Sequence, residues 1–127
     1  MSPRSDEFLA GARERLEIGR TLIAAGLPAG AASAAYYAML YAARAALSEE
    51  DRYAKTHGGV WSLFAELFVA TGRVAPQLAS AAGRAQELRL DADYEAVQVR
   101  AEEAAAAFAE AERFVETVTE VLEGSQR

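Results

Sequence analysis

The chain has 127 residues, no cysteine, one histidine and a formal net charge of −6. That length fits a single domain over residues 1–127 with a real core, and the missing thiols exclude disulfides, thiolate metal sites and cysteine catalysis. One imidazole excludes any site that needs two histidines, and the acidic balance argues against a broad basic surface for nucleic acid.

Apolar residues make up 52% of the chain and charged residues 25%, an ordinary balance for a soluble domain. No apolar run reaches the length of about 18 residues that a membrane-spanning helix needs. The N-terminal stretch has neither the basic start nor the apolar core of a signal peptide, so the sequence predicts a cytoplasmic protein.

A first helix is predicted from Ser5 to Ala25. Ser5 is the expected N-cap, followed by Asp6 and Glu7 where the helix dipole favours acids. Leu9, Ala12, Leu16, Gly19 and Ile23 recur at spacings of three and four and form one apolar stripe. Gly26 is a stop signal, and Pro28 opens a second helix that runs to Ser48.

The second helix, with the sequence SAAYYAMLYAAR at its centre, is the expected hub. At about 100° per residue, Tyr36, Met39, Leu40, Ala43 and Leu47 share one face. Ser33, Tyr37, Tyr41 and Arg44 fall on the neighbouring flank as a row of polar tips. Residues Glu49 to Lys55 show no apolar period and form a loop. Thr56 then caps a third helix that ends near Thr71, with Val60, Trp61, Phe64, Leu67 and Phe68 inward. Large aromatics of this kind are core material first.

Arg73 to Ala75 is a short connection, and Pro76 starts a fourth helix with Leu78, Ala82, Ala85 and Leu88 inward. It is expected to fray near Asp91, because Asp91 and Asp93 prefer caps and turns. The last helix starts between Tyr94 and Val99 and ends at Gly124. Its stripe is Val97, Ala101, Ala104, Phe108, Ala111, Val115, Val118 and Leu122, widened by Phe114 and Val121. No segment alternates as a strand would. The expected fold is all-α: an antiparallel up-and-down bundle of four long helices plus a shorter fifth. Its core is expected to hold Tyr36, Met39, Leu40, Phe64, Phe68, Phe108, Val115 and Val118.

Metal-ligand spacings and a Walker loop are absent, so no metal or cofactor is expected. Two clusters carry potential chemistry. Lys55, Thr56 and His57 place a cation, a hydroxyl and an imidazole at a helix N-terminus, followed by Gly58 and Gly59, whose backbone N–H groups suit an anion. Arg89, Asp91, Asp93 and Tyr94 gather at the end of the fourth helix. Each has a bland reading: a capping histidine, an arginine balancing a helix C-terminus and nearby carboxylates, an aspartate capping the last helix. The Tyr37, Tyr41 and Arg44 flank reads equally as an interface or a buried hydrogen-bonding layer.

Taken together, SAAYYAMLYAAR, KTHGGVWSLFAELFVATG and ELRLDADY resemble, in order and spacing, the HEPN domain family of small bacterial and archaeal helical proteins. The resemblance spans Glu7 to Leu122. YYAM matches Tyr36, Tyr37, Ala38 and Met39; KTH matches Lys55, Thr56 and His57; R-x-x-A-D-Y matches Arg89, Ala92, Asp93 and Tyr94. It implies a dimer of helical bundles, often paired with a minimal nucleotidyltransferase, MNT, as a toxin–antitoxin system. It also implies either metal-independent ribonuclease activity or nucleotide binding. Two positions depart from the family pattern: Ala34 stands where an arginine is usual, and no histidine follows Arg89.

What the resemblance implies for this chain is a HEPN partner of an MNT-type nucleotidyltransferase that binds nucleotide or RNA phosphate. Arg89, His57 and Tyr94 are then the candidate catalytic groups, and Lys55, Tyr37, Arg44 and Asp93 the candidate ligand contacts. The alternatives are a metal-independent ribonuclease toxin and a structural dimerisation module without ligand.

Overall fold

The computed structural model describes residues 1–94 and 98–124. Among them the chain forms α1 (Pro3–Ala24), α2 (Pro28–Glu49), α3 (His57–Phe64), α4 (Pro76–Tyr94) and α5 (Ala101–Gly124), with a π-helical turn, Ala65–Val69, continuing α3. No strand occurs among the described residues. The all-α fold expected from the periodicity is the fold of the protein.

The first boundary differs from expectation. Ser2, not Ser5, caps α1: its hydroxyl accepts from the Ser5 backbone N–H at 3.1 Å. Pro3 then takes the first helical position, where its missing N–H costs nothing. Ser5 is thereby carried inside the helix and buried. Its hydroxyl approaches the Ala45 carbonyl at 3.3 Å and the Glu49 carboxylate at 2.7 Å, which ties the start of α1 to the end of α2.

The α1–α2 pair runs antiparallel. Ser5 meets Ala45, Gly11 faces Tyr41, Gly19 faces Ala34 and Gly30 faces Leu22, so the order along one helix reverses along the other. Gly26 makes the corner in the left-handed region, φ 73°, which glycine adopts without a Cβ penalty. Pairs Arg84–Glu110 and Arg20–Glu112 place α5 beside both α4 and α1.

Helix α2 is the hub. Nine alanines, Tyr36, Met39, Leu40 and Leu47 are buried along it, and a helix apolar on all sides belongs inside a bundle. Its neighbours supply Leu9, Val60, Phe64, Phe68, Phe114, Val118 and Leu122, each almost wholly buried. Phe108, expected in the core, is only half-buried. Its ring covers Gly19 of α1, where a Cβ would come within 3.1 Å of it, and carries the Arg20 guanidinium on its face at 5.5 Å. The stripe of α5 is rotated so that Phe114 takes the core position. It packs on Trp61 and Phe64 at centroid distances of 5.9 and 5.4 Å.

Two further boundaries are corrected. Helix α4 does not fray at Asp91 but continues to Tyr94, held by an ion pair between Arg89 and Asp93 one turn apart at 3.2 Å. Such i,i+4 pairs support a helix end. Helix α5 begins at Ala101, later than the expected window of Tyr94 to Val99. The Glu103 carboxylate reaches back to the Arg100 N–H at 3.0 Å, half of a capping box, and fixes the start there. The expected stripe position Val97 lies outside the described residues. Finally, α3 widens into the π turn, closed by the Ala70 N–H on the Ala65 carbonyl at 2.8 Å.

Candidate functional site

The site forms where α2, α3 and α4 converge, and it begins with a tyrosine at a core position. Tyr36 lies on the inward face of α2 and is fully buried. A buried phenol needs a partner for its hydroxyl, and this one has two. The Trp61 indole N–H donates to it at 3.2 Å, and the His57 Nδ1 lies 3.1 Å away. Helix α3 can present both residues because Thr56 fixes its first turn, accepting the Gly59 N–H at 2.9 Å. His57 and Trp61 are then one turn apart on the face that meets α2.

The hydrogen-bond inventory favours one histidine tautomer. Tyr36 accepts from an indole that can only donate, so its own proton is free to go to Nδ1. The Nε2 of His57 then carries the hydrogen and faces away as a donor. Burial, then the charges of Arg89 and Arg44, hold His57 below its ordinary pKa of 6.5, so the imidazole is neutral at pH 7. Burial also pushes the Tyr36 phenol up from 10.0, and it stays protonated.

Arg89 completes the cluster from α4. Ala82, Ala85 and Arg89 continue one inward stripe, so the arginine is delivered to a core position and is only 8% exposed. Its guanidinium lies over the Tyr36 ring at 5.1 Å and the Tyr37 ring at 5.4 Å. These two rings meet edge-on, 5.3 Å between centroids, and make an aromatic corner that holds the planar cation. One Nη donates to Asp93. The buried Nε–H has no hydrogen-bond partner among the described residues, an uncommon condition for a buried donor.

The structure thus brings together Arg89, Asp93, Tyr37 and His57. Tyr37 stands edge-on to the His57 ring at 5.9 Å. Asp93 is an α4 residue paired within its own helix with Arg89. Arg44 is turned to the loop before α3. It donates to the Ala54 carbonyl at 2.8 Å and lies over the Tyr53 ring at 5.8 Å; it reaches His57 through its charge alone. Lys55 and Asp91 are exposed, and no hydrogen bond or ion pair among the described residues ties either to the cluster. The side chain of Tyr94 lies outside the described residues.

Two members escape a reading of the sequence. Periodicity puts Tyr36 in the core and Trp61 on the buried face of its helix, and both are there. Yet the Tyr36 hydroxyl is the central polar atom of the site, and Trp61 N–H orients it. The available signal is the residue type: a tyrosine rather than a phenylalanine at a core position implies a buried partner for its oxygen. Among the described residues, no group of three or more His, Cys, Asp or Glu side chains gathers in a way that suits a metal ion. No helix among them is long and apolar enough to cross a membrane.

A helical bundle of this topology, with a motif arginine seated on paired tyrosines beside a helix-start histidine, defines a class of small helical domain. Residues 5–122 match the family described as HEPN domain, and the chain belongs to it. A UPF0332 protein of Gloeobacter violaceus is 30% identical over 96% of this chain and 98% of its own length. Two proteins of Methanocaldococcus jannaschii, each carrying the name "Putative toxin", are 32% identical over 87% of this chain and 83% of the relative, and 30% identical over 78% and 68%. The crystal structure of TT1696 from Thermus thermophilus has the same fold, with a TM-score of 0.80, 23% identity, and coverage of 94% of this chain and 99% of that one.

Proposed function

We propose that this chain is the HEPN member of a toxin–antitoxin-type pair and that it binds nucleotide or RNA phosphate at the Arg89–His57 cluster. In this reading it acts as a cytoplasmic homodimer with an MNT-type nucleotidyltransferase as partner. Family membership and the names of the Methanocaldococcus relatives support the first part. The observation that carries the second is the donor set. With Tyr36 donating to Nδ1, His57 Nε2–H is a donor, and Arg89 has an Nε–H without a partner among the described residues. Donors not taken up by Asp93 suit an anion, and a guanidinium held on two rings has its plane already oriented for phosphate oxygens.

One observation favours the ribonuclease reading. The depressed pKa of His57 keeps the ring neutral, as a general base for the 2′-hydroxyl must be. The tautomer opposes it: Nε2 accepts a proton only if Nδ1–H turns to Tyr36, which would then receive two donors and lose the place of its own proton. Phosphate binding is therefore the stronger reading.

Calorimetric titration of nucleotides and short RNA against wild type, Arg89→Lys and Arg89→Ala tests it. A charge-assisted pair contributes about 1.5–3 kcal/mol, so Arg89→Ala is expected to bind at least tenfold more weakly. Arg89→Lys is expected to recover only part of that loss. Equal binding by all three removes Arg89 from the site, and an Arg89→Ala protein that loses only stability assigns it a structural role. Cleavage of bulk RNA by wild type but not by His57→Gln would establish the ribonuclease instead. The dimer is checked by sedimentation at tens of micromolar, since a specific interface buries about 1,200 Å² or more. The partner is checked by co-purification with the neighbouring gene product.

A further inference from the structure

On the side of α2 that faces α1, three aromatic rings and two arginines stack in one continuous run. Tyr53, on the loop before α3, and Phe8, on α1, hold the Arg4 guanidinium between them, each ring 5.5 Å from its carbon. Phe8 stacks on Tyr41 of α2, 6.3 Å between centroids and 26° between planes. Arg15 then covers the Tyr41 ring at 5.2 Å. Five planar groups follow one another across the α1–α2 surface. Beside them is an open depression of about 370 Å³, with Gly11 at its edge.

Local charge is opposite to the charge of the chain. This depression and the smaller hollow under Tyr53 are lined by Arg4, Arg15, Arg44 and Arg52, with Glu7 as the one carboxylate among their lining residues. The whole chain carries −6. Four arginines gathered on the surface of an acidic protein point to an anionic partner. Three of them, Arg4, Arg15 and Arg44, lie over ring faces, which points to a partner that also has flat apolar groups.

Single-stranded nucleic acid has that chemistry: a phosphate at each step and a base that stacks on any aromatic or guanidinium plane. The run also leads toward the Arg89–His57 cluster. Tyr41 lies one helical turn from Tyr37, which touches Arg89 and His57, and Arg44, one turn further along α2, reaches His57 through its charge.

We propose that the run Tyr53–Arg4–Phe8–Tyr41–Arg15 is a track for single-stranded RNA, which it feeds toward the Arg89–His57 cluster. The inference rests on the phosphate-binding reading of that cluster. The cluster holds one phosphate; the track holds the neighbouring nucleotides by stacking and charge, and so makes binding depend on length.

The test compares AMP with a single-stranded oligoadenylate of about 10 nucleotides, the scale of one such site, by fluorescence anisotropy and calorimetry. Three variants address the track. Arg15→Gln removes a charged plane, and Tyr41→Leu removes a ring but keeps apolar contact. Gly11→Gln covers the depression; a Cβ there meets Tyr41 only at 3.8 Å, an ordinary contact, so the fold tolerates it. Each is expected to weaken oligoadenylate about tenfold, the loss of roughly one stacked base, while leaving AMP binding and helix content unchanged. Arg89→Ala is expected to weaken both ligands.

Oligoadenylate binding that is absent in wild type, or unchanged in all three variants, overturns the track. Equal competition by polyglutamate also overturns it, because the surface would then read charge alone and fit an acidic protein. If AMP binding ignores Arg89→Ala while the track variants still weaken oligoadenylate, the cluster reading fails and the track stands.

Discussion

Two regions of α2 show what different side chains do for one helix. Toward α1 it presents a seam of small residues, in which Ala34, Ala38, Ala42 and Ala45 are almost wholly buried. Toward α3 and α4 it presents a knot in which Tyr36, Trp61, His57, Phe64 and Arg89 interlock. The seam brings two helices close with residues that lose no side-chain entropy and have the best helix propensity. It holds few directed contacts: the Ser5 hydroxyl to Ala45 and Glu49 is one. The knot has hydrogen bonds and stacked planes with fixed directions, so it sets where α3 and α4 sit. Polar groups from three helices, Tyr36, His57, Trp61 and Arg89, are oriented together in the knot.

The largest expected effect separates the knot from its rim. Phe114→Ala removes a fully buried ring from between Trp61 and Phe64, and is expected to cost about 3–5 kcal/mol in chemical denaturation. Phe108→Ala, on the same helix, is expected to cost far less, because that ring is half-buried over Gly19. Equal losses would contradict the rotation of α5 that puts Phe114 inward.

The seam is probed by overfilling it. Ala42 is wholly buried, and Ala42→Leu is expected to cost about 1–3 kcal/mol through strain. A near-neutral result would mean that α1 and α2 can move apart, and that the seam is looser than its geometry. Tyr36→Phe is the subtler cut, in the knot. It keeps the ring under Arg89 but leaves Trp61 N–H and His57 without their shared oxygen, for about 1–2 kcal/mol. Nitrogen-15 shifts of the His57 ring should lose the signature of a single tautomer in this variant; unchanged shifts would break the proposed orientation of Nε2–H.

The smallest expected effect is a pH dependence. His57 has its pKa lowered in the folded protein, chiefly by burial and then by Arg89 and Arg44. As pH falls below the ordinary value of 6.5, the unfolded chain takes up the proton first. Stability from this group is therefore complete above that value and declines below it, until the folded imidazole also protonates. Melting temperatures recorded from neutral to mildly acidic pH should fall for wild type and run flatter for His57→Gln in that window. Parallel curves would show that His57 titrates alike in both states.

Much of the bundle was legible because helices announce themselves locally. The stripes of α1 to α4, the Gly26 and Pro28 corner, the Thr56 cap, the loop before α3 and the Pro76 start all follow from neighbours a few residues apart, and all stand in the structure; the stripe of α5 stands only after a rotation. Errors fell where two local signals competed. Ser5 followed by acids looks like a cap, yet Ser2 before Pro3 is a better one. Asp91 and Asp93 look like breakers, yet an arginine one turn back turns Asp93 into a helix-supporting partner.

Local pattern therefore determined the helical class, the order of the elements and the identity of the hub, since periodicity and capping depend on residues three or four positions apart. Pattern and family resemblance together pointed to one polar patch joining Arg89 and Asp93 to His57 or the Tyr37–Arg44 flank, but not to its contacts. Only tertiary packing decided that Arg89 is buried on two tyrosine faces, that Arg44 turns to the Ala54 carbonyl, and that Phe114 rather than Phe108 enters the core. Each of these depends on the rotation of one helix against another. Neighbouring stripe positions on an alanine-rich helix differ too little in hydrophobicity to fix that rotation, so the bulky and charged groups of the partner helices settle it.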